Sequence, residues 1–348
     1  KKILSVLMAA ALCASMAACS SSDNSSSVAE NGNIQIDTLR VAFVPSREPD
    51  EIITATEPLK EMLKTELAKE GYDVGNVEIT VGTSYEAVGE SLSAGTADVG
   101  LIPGGTYVLY DDGAEVILTA TRDGLSIDSD SAKDWNDNAP TEPTTEQVTS
   151  YRALMIAGPS EKGKELAAKV NAGEALTWED VSSATGVWPI PPLLPDTSTP
   201  LCGSRRTSTR ISPTCPTRCS LTPTAVPSPV LASGQVDILC TYADARRDYE
   251  DEWTTEYGMT NSIWDDTAVV GVTPAIYNDT ISVSKTSPIM DDDFKQALGQ
   301  AFINIGNTEE GKEVIAIYSH NGYQWAKSED YDSERAAQEM IQSLNSAG

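Results

Sequence analysis

Residues Leu92 to Thr106 read LSAGTADVGLIPGGT, a pattern that predicts the end of one helix, a buried strand and the start of a second helix. A helix is predicted to end at Gly95, because glycine readily adopts the left-handed conformation that closes many helices. A short connection then leads into Val99 to Ile102, an apolar run typical of a strand that is buried on both faces. The strand breaks at Pro103, where a further helix is predicted to begin.

The same pattern recurs later in the chain, where Leu231 to Ile238 read LASGQVDI. Gly234 occupies the place of Gly95, and Asp237 occupies that of Asp98. Polar residues able to bind a ligand follow both strands. The repeat favours two lobes that each contain the same helix-to-strand unit, and the alternative is a pair of unrelated helix ends.

Strand and helix signals also alternate upstream of this unit. Leu39 to Val44 and Val77 to Val81 are predicted strands, and one helix is predicted from Pro49 through Leu67. This alternation predicts a parallel sheet covered by helices, so the fold class is α/β. Such sheets bind ligands at the carboxyl ends of their strands. The roughly 310 residues after the N-terminal region suit two lobes rather than one core.

The N-terminus has the pattern of a targeting segment. A basic start is followed by an apolar run, Ile3 to Ala18, that is too short to span a membrane stably. Small residues precede Cys19, and a Ser/Asn-rich tract follows it, as in bacterial lipoprotein signals. We therefore predict a signal peptide at 1–18, lipidation of Cys19 and a flexible tether over 19–36. An ordinary signal peptide cut nearby is the alternative.

Charge and motifs exclude several classes of function. The chain has 52 acidic and 24 Lys or Arg residues, a net charge of −28, which argues against nucleic-acid binding. A small anion stays possible, because hydroxyls and open N–H groups hold oxyanions without net positive charge. No catalytic set, metal spacing or cofactor motif is recognisable, so we predict neither an enzyme nor a cofactor. His320 is interpreted as a surface cap near a helix end.

Several phrases resemble one family. They are FVPSREP at Phe43 to Pro49, AGTADV at Ala94 to Val99, YRAL at Tyr151 to Leu154, LTWED at Leu176 to Asp180 and LASGQVD at Leu231 to Asp237. Together they resemble the phosphate/phosphite/phosphonate-binding family of ABC transporters, from Leu39 to about Ala326 with one gap. The resemblance implies a two-lobed periplasmic-binding-protein-like (type II) fold. Each lobe would be a mostly parallel sheet flanked by helices, with lobe 1 at 37–122 and 275–348, lobe 2 at 123–274, and the ligand cleft between them.

The resemblance also implies a site in which hydroxyls, backbone N–H groups and tyrosines hold phosphoryl oxygens. The ligand-binding residues expected from it are Ser46, Tyr85, Gly104, Gly105, Thr106, Tyr151, Asp244 and Thr273. Asp244 matches an acid that faces the amino group in aminophosphonate binders, whereas Thr273 replaces a second such acid. That replacement favours phosphite, phosphate or a neutral phosphonate. Each tyrosine has a plainer alternative as a half-buried aromatic on a lobe surface.

The expected partners follow from the same resemblance. They are the small oxyanion and the permease and ATPase subunits of an importer, with membrane contact only through the lipid anchor. We expect a monomer on the extracellular face of the bacterial cytoplasmic membrane, which is periplasmic in a Gram-negative host. Two alternatives are a binding or sensing lipoprotein for another small anion without transport, and an extracellular enzyme that processes phosphoesters.

The gap in the resemblance covers residues 186–230. This segment is rich in proline, holds three cysteines and has Asp196 as its one acid, and no helical or strand period is visible. A native loop of this length inside a compact domain would be unusual. A compensated reading-frame shift explains it better. The other frame can encode Thr-Thr-Ser-Ser-Ala-Gly, a sequence suited to an oxyanion, shortly after the shift begins.

Overall fold

The computed structural model describes residues 32–187 and 227–346, with side chains through residue 339. The strands are β1 Ile34–Phe43, β2 Tyr72–Val81, β3 Val99–Ile102, β4 Ala114–Leu125, β5 Pro143–Val148, β6 Ser150–Tyr151, β7 Ala153–Ala157, β8 Gly186–Val187, β9 Ile238–Tyr242, β10 Ala268–Val272, β11 Ile276–Tyr277, β12 Thr280–Ser284 and β13 Gly322–Trp325. The helices are α1 Pro49–Thr56, α2 Leu59–Lys69, α3 Tyr85–Ser93, α4 Gly104–Tyr107, α5 Ala132–Asp137, α6 Glu161–Asn171, α7 Trp178–Ser182, α8 Pro229–Ala232, α9 Ala245–Asp248, α10 Glu250–Thr255, α11 Ile263–Asp266, α12 Asp292–Gly306, α13 Glu309–Ile315 and α14 Asp332–Ser346.

The first sheet has the strand order β2-β1-β3-β12-β4-β13, and β5 pairs with β4. The pairs of β1 with β2 and with β3 are parallel, as the alternation of strand and helix predicts. β12 is antiparallel to both of its neighbours, β3 and β4. β1 to β4 therefore run in one direction, with a returning strand inserted between β3 and β4.

The core of this sheet is closed by helices from both ends of the chain. Phe294, Leu298 and Phe302 of α12 are buried against it. Asp291 caps α12, and its side chain accepts a hydrogen bond from the Phe294 N–H at 2.8 Å. Carboxylates at a helix N-terminus are stabilised by the helix dipole, so the acidic residues before Phe294 stabilise the start of α12.

Two predicted boundaries in the first sheet are wrong. The helix expected from Pro49 through Leu67 is two helices, α1 and α2, which break around Pro58 because proline cannot continue a helical hydrogen-bond ladder. β1 begins at Ile34 and pairs with β2 from there, so the tether predicted to end at residue 36 ends earlier. Ile36 is buried in the sheet core, which explains why the strand extends this far.

The second sheet has the order β10-β7-β9-β8. β8 is parallel to β9, and β7 is antiparallel to both β9 and β10. Three strands therefore share one direction and β7 opposes them. Read from β4, the first sheet runs β4-β12-β3-β1, again with the antiparallel strand in second place. The two sheets repeat one arrangement.

The repeat extends to individual residues. Gly95 and Gly234 both have φ of +71°, the left-handed conformation expected at the helix ends. Each helix-to-strand unit ends on an aspartate that hydrogen-bonds the backbone of the neighbouring strand segment, Asp98 to Arg40 and Asp237 to Thr185. Matched backbone geometry and matched side-chain bonds contradict the alternative of unrelated helix ends.

The chain passes between the sheets through short paired segments. β5 pairs with β4 of the first sheet although it falls within 123–274, the range predicted for lobe 2. The cause is that β4 continues to Leu125 and forms a hairpin with β5. β6 and β11 then form a separate two-stranded sheet. The other lobe bounds remain predictions.

Several expectations fall outside the described residues. These are the signal peptide at 1–18, lipidation of Cys19, and most of the segment predicted to be frameshifted, 188–226. Within the described part of the chain, no helix combines the length and apolar character needed to cross a bilayer.

Candidate ligand-binding site

The carboxyl ends of β1 and β2 carry two of the predicted site residues. Ser46 lies exposed in the turn after β1. Tyr85 is the first residue of α3, whose N-cap Ser84 accepts a hydrogen bond from the Ala87 N–H at 3.1 Å. The parallel pairing of β1 with β2 puts these two turns on the same edge of the sheet. Burial and the nearby Asp279 carboxylate raise the pKa of the half-buried Tyr85.

Gly104, Gly105 and Thr106 form the first turn of α4, directly after β3. All three are buried, with Thr106 only 3% exposed. A side chain at Gly104 would not fit, because its Cβ would lie 2.7 Å from the Tyr331 ring. The turn therefore lies at the same sheet edge and packs closely against Tyr331, the residue before α14.

Tyr151 lies in β6, between the two main sheets, and stacks with a cation. The guanidinium carbon of Arg122 is 4.8 Å from the centroid of its ring. Burial raises the pKa of Tyr151, and the Arg122 charge opposes that shift. Arg122 comes from the end of β4, is half-buried, and forms no ion pair among the residues described.

Asp244 follows β9 in the second sheet and forms an ion pair with Arg247 at 2.8 Å. Burial raises the pKa of Asp244, while the charges of Arg247 and Arg122 act in the opposite direction. Arg122 thus influences both Tyr151 and Asp244. The structure thus places two predicted residues, Asp244 of the second sheet and Tyr151 of the connecting segment, near one cation of the first sheet, Arg122.

Thr273 accepts two hydrogen bonds from within the protein, apart from any contact with a ligand. Its hydroxyl accepts a hydrogen bond from the Ala153 N–H at 3.0 Å, and its carbonyl accepts one from Arg152 Nη1 at 3.0 Å. The side chain therefore ties the end of β10 to the start of β7. Only the hydroxyl hydrogen remains to donate to a ligand.

Asp279 is a candidate site residue that the sequence did not indicate. It precedes β12, its side chain is 39% exposed, and its carboxylate lies 3.3 Å from His320 Nε2. Its charge contributes to the raised pKa values of Tyr85, Tyr151 and Tyr318. Because β12 runs antiparallel, its first residue lies at the edge where β3 ends. In the sequence Asn278 and Asp279 precede the alternating polar and apolar residues of β12, but that pattern does not show which direction the strand runs.

His320 is not a surface cap, as interpreted from the sequence. It is 5% exposed and packs edge-on against the Tyr323 ring, with the two ring centroids 5.6 Å apart. Its Nδ1 lies 3.2 Å from the Tyr323 hydroxyl. Ser319, with φ of +58°, turns the chain inward at this point and so buries the imidazole.

The assembled groups suit non-covalent recognition of a small charged molecule. Arg122 and the hydroxyls of Tyr85, Tyr151 and Thr106 are donors for an oxyanion, whereas Asp244 and Asp279 would attract a positively charged group. The described residues contain no cluster of three or more His, Cys, Asp or Glu side chains that could hold a metal ion. The aromatic rings and the cation lie where the two sheets are connected.

A two-sheet α/β chain with crossing connections and ligand-capable groups at the strand ends is a type II periplasmic solute-binding protein in architecture. Residues 41–189 and 229–331 match the model of the family described as the phosphonate ABC transporter periplasmic substrate-binding protein. The chain belongs to this family, so it is the substrate-binding component of an importer and acts outside the cytoplasm.

Several solved structures are similar to this chain at low sequence identity. A Mycoplasma hyorhinis protein, p37, described as a putative thiamine pyrophosphate transporter, has a TM-score of 0.52 at 13% identity, covering 84% of this chain and 95% of its own. PhnD1 of Prochlorococcus marinus, solved with methylphosphonate, has 0.44 at 12% identity and covers 89% and 98%. A binding protein of a Pseudomonas aeruginosa ABC phosphonate transporter has 0.42 at 14%, covering 88% and 85%. No curated protein sequence matches the chain significantly.

Proposed function

We propose that this protein captures a phosphorus oxyanion of the phosphonate, phosphite or phosphate type by closing its two lobes on the ligand. The observation that carries the proposal is Arg122. It is a half-buried guanidinium with no ion pair among the described residues, held over the Tyr151 ring where the sheets connect. A guanidinium presents paired N–H donors that match phosphoryl oxygens in geometry and charge.

The surrounding groups support the same ligand class. Tyr85, Tyr151 and Thr106 contribute hydroxyls, and the turn from Gly104 adds backbone groups at the same edge. In a chain of net charge −28, an unpaired guanidinium is a local exception to the acidic character. The nearby acids Asp244 and Asp279 set the specificity, because they disfavour additional negative charge on the ligand and favour a positively charged substituent.

The proposed cellular arrangement adds a lipid anchor at Cys19 and a monomeric protein that docks on permease and ATPase subunits. Transport requires no chemistry on the ligand, so no enzymatic activity is proposed. Mass spectrometry of the N-terminal peptide from membranes tests the anchor. A diacylglyceryl mass on Cys19 is expected, and an unmodified N-terminus elsewhere contradicts lipidation.

We also propose that the segment at 186–230 carries a compensated frameshift. In the first sheet, β1 pairs on both sides, with β2 and β3, whereas its counterpart β8 pairs only with β9 among the described strands. Because the two sheets repeat one arrangement, β8 is expected to have a second neighbouring strand. Resequencing the gene across this segment tests the proposal, and a clean frame as printed contradicts it.

Isothermal titration calorimetry tests the ligand assignment. The protein is titrated with phosphite, phosphate and methylphosphonate, with chloride as the control anion. We expect saturable binding of at least one phosphorus oxyanion, weakened in Arg122→Met and partly retained in Arg122→Lys, which keeps the charge but loses the planar fork. Failure of all three ligands to bind the folded protein contradicts the oxyanion assignment.

A further inference from the structure

A cavity of about 350 Å³ lies in the half of the molecule built on the second sheet. Its walls come from α5, α6, α9, α11, the end of β7 and the start of β10. Small residues such as Ala157, Gly158 and Ala268 leave the space open. The volume falls within the roughly 300–1,000 Å³ typical of small-molecule sites.

Arg246 lines this cavity and is 1% exposed. Its buried Nε and Nη2 atoms have no hydrogen-bond acceptor in the part of the chain that the structure describes. It forms no ion pair within the described part of the chain, and its guanidinium carbon lies 4.5 Å from the centroid of the Trp264 ring. Burial lowers its pKa to about 10, so the guanidinium remains charged at neutral pH.

Trp264 contributes a further unpartnered donor to the same wall. Its indole Nε1 is buried and has no hydrogen-bond acceptor within residues 32–187 and 227–339. Two side chains that line the cavity and contact each other therefore carry three donor nitrogens without acceptors among the described residues. Leaving buried donors unsatisfied is costly, and for a charged group the cost is larger still. An acceptor that enters the cavity removes this cost.

The acids of the cavity wall are engaged elsewhere. Asp266 accepts hydrogen bonds from Trp253 Nε1 at 3.1 Å and from Asn261 Nδ2 at 2.9 Å. Asp265 accepts one from the Ser262 hydroxyl at 2.8 Å. Neither pairs with Arg246, although both lower the local positive potential. An exposed lysine on the wall, Lys164, forms no ion pair among the described residues and offsets part of that effect.

We propose that this cavity is a second anion site, which binds a compact oxyanion such as a carboxylate, sulfate or phosphate through Arg246 and Trp264. Its lining shares no residue with those assigned to the proposed ligand-binding cleft. Ala268 of the cavity and Thr273 of the cleft are roughly 16 Å apart along β10 at about 3.3 Å per residue. Arg246, by contrast, lies only two residues after Asp244, on the opposite side of the short helix start.

The test uses fluorine NMR of the full chain labelled with 5-fluorotryptophan, in which the Trp264→Phe spectrum assigns the Trp264 resonance. Sodium sulfate, phosphate and acetate are titrated separately against sodium chloride of equal ionic strength. We expect a saturable shift of the Trp264 resonance with one or more of these oxyanions. The comparison among the three separates a preference for carboxylate from a preference for tetrahedral anions.

Two variants localise the effect. Arg246→Met should weaken the apparent affinity by about tenfold or more, because it removes charge-assisted hydrogen bonds. Lys164→Gln, at an exposed position that folding tolerates, should weaken it several-fold. Arg122→Met, which alters the cleft, should leave the titration unchanged. The proposal is overturned if the resonance follows ionic strength alone, if Lys164→Gln and Arg246→Met titrate like the unaltered chain, or if Arg122→Met abolishes the shift.

Discussion

Asp98 and Asp237 make equivalent hydrogen bonds to neighbouring strand segments. Asp98 accepts from the Arg40 N–H at 2.8 Å and donates its own N–H to the Arg40 carbonyl at 2.9 Å. Asp237 does the same with Thr185, at 2.7 Å in both directions. The side chains therefore lock each helix-to-strand unit to the strand beside it. This function explains why an aspartate recurs at this position of the repeated sequence.

Removing either carboxylate should destabilise the fold. We expect Asp237→Ala to cost about 1.5–3 kcal/mol of unfolding free energy, the usual value of charge-assisted hydrogen bonds. Each carboxylate also accepts from one hydroxyl, Ser287 for Asp98 and Ser160 for Asp237. Asp98→Ala should cost more, because Asp98 alone also accepts from the Arg40 guanidinium. Urea unfolding measures both, with exposed Asp37→Ala as control. Equal stability of all three variants would contradict this function.

Asp180 makes stability depend on pH. Its carboxylate accepts hydrogen bonds from Lys169 Nζ and from the N–H and hydroxyl of Thr177, and these hold the pKa of Asp180 far below its usual value. A lowered folded pKa adds stability above the unfolded pKa of about 3.9, and this stability is lost as pH falls toward the folded value. Thr177 and Asp180 form a capping box at the start of α7, which explains physically why a helix begins within the sequence LTWED.

The corresponding variant is Asp180→Asn. We expect a lower melting temperature than that of the unaltered chain, by a constant difference above about pH 5 that shrinks as pH falls below about 4. Thermal unfolding between pH 2 and pH 8 measures this difference. Exposed Glu179→Gln on the same turn is the matched control and should show little effect. A difference that does not change with pH would refute the electrostatic explanation.

Asp244 offers a test of specificity at the site. Its carboxylate lies in the field of Arg122 and competes with an anionic ligand for that charge. Asp244→Asn should therefore tighten phosphite or phosphate binding by on the order of 1 kcal/mol and weaken binding of an amine-bearing phosphonate. Calorimetry with both ligand types measures the two changes, with exposed Asp251→Asn as control. Changes of the same sign for both ligands would argue against a charge effect.

At the scale of the element, the two left-handed glycines form a matched pair. Both have φ of +71°, but a Cβ at Gly95 would lie 2.7 Å from Thr286 Oγ1, whereas at Gly234 the nearest atom is 3.4 Å away. We expect Gly234→Ala to cost about 1–2 kcal/mol from backbone strain alone and Gly95→Ala to cost more. Gly173, with φ of +81° and open space, supplies the reference variant. Equal losses of unfolding free energy for Gly95→Ala and Gly234→Ala, measured by urea unfolding, would show that Thr286 moves away from the new Cβ without cost.

Local signals in the sequence predict the helix-to-strand units and the parallel order of β1 to β3. They do not predict β12, because its partners in β3 lie almost 180 residues away and no periodicity records which direction the returning strand takes. Asp279 is missed for that reason. Arg122 is missed because its place over Tyr151 depends on a hairpin between β4 and β5 that closes at the junction of the two sheets.

At the scale of the whole molecule, the proposed closure of the lobes would act through the segments that connect the two sheets. β6 pairs with β11 in an antiparallel two-stranded sheet, in which Tyr151 is opposite Ile276 and Ser150 is opposite Tyr277. Two segments that connect the main sheets are therefore joined to each other. Tyr151 is thus part of the connection and also the platform for Arg122. A ligand that binds Arg122 acts directly on the segment about which two lobes would rotate.

This coupling predicts that the oxyanion closes the molecule. A ligand shifts the population toward the state that it contacts from both lobes, so small-angle X-ray scattering should show a smaller radius of gyration at saturation. Arg122→Met at the same ligand concentration should keep the larger radius, because its weaker binding leaves the open state populated. If calorimetry shows saturation while the radius stays constant, the protein binds its ligand without closing, and recognition by the importer must depend on a feature other than lobe closure.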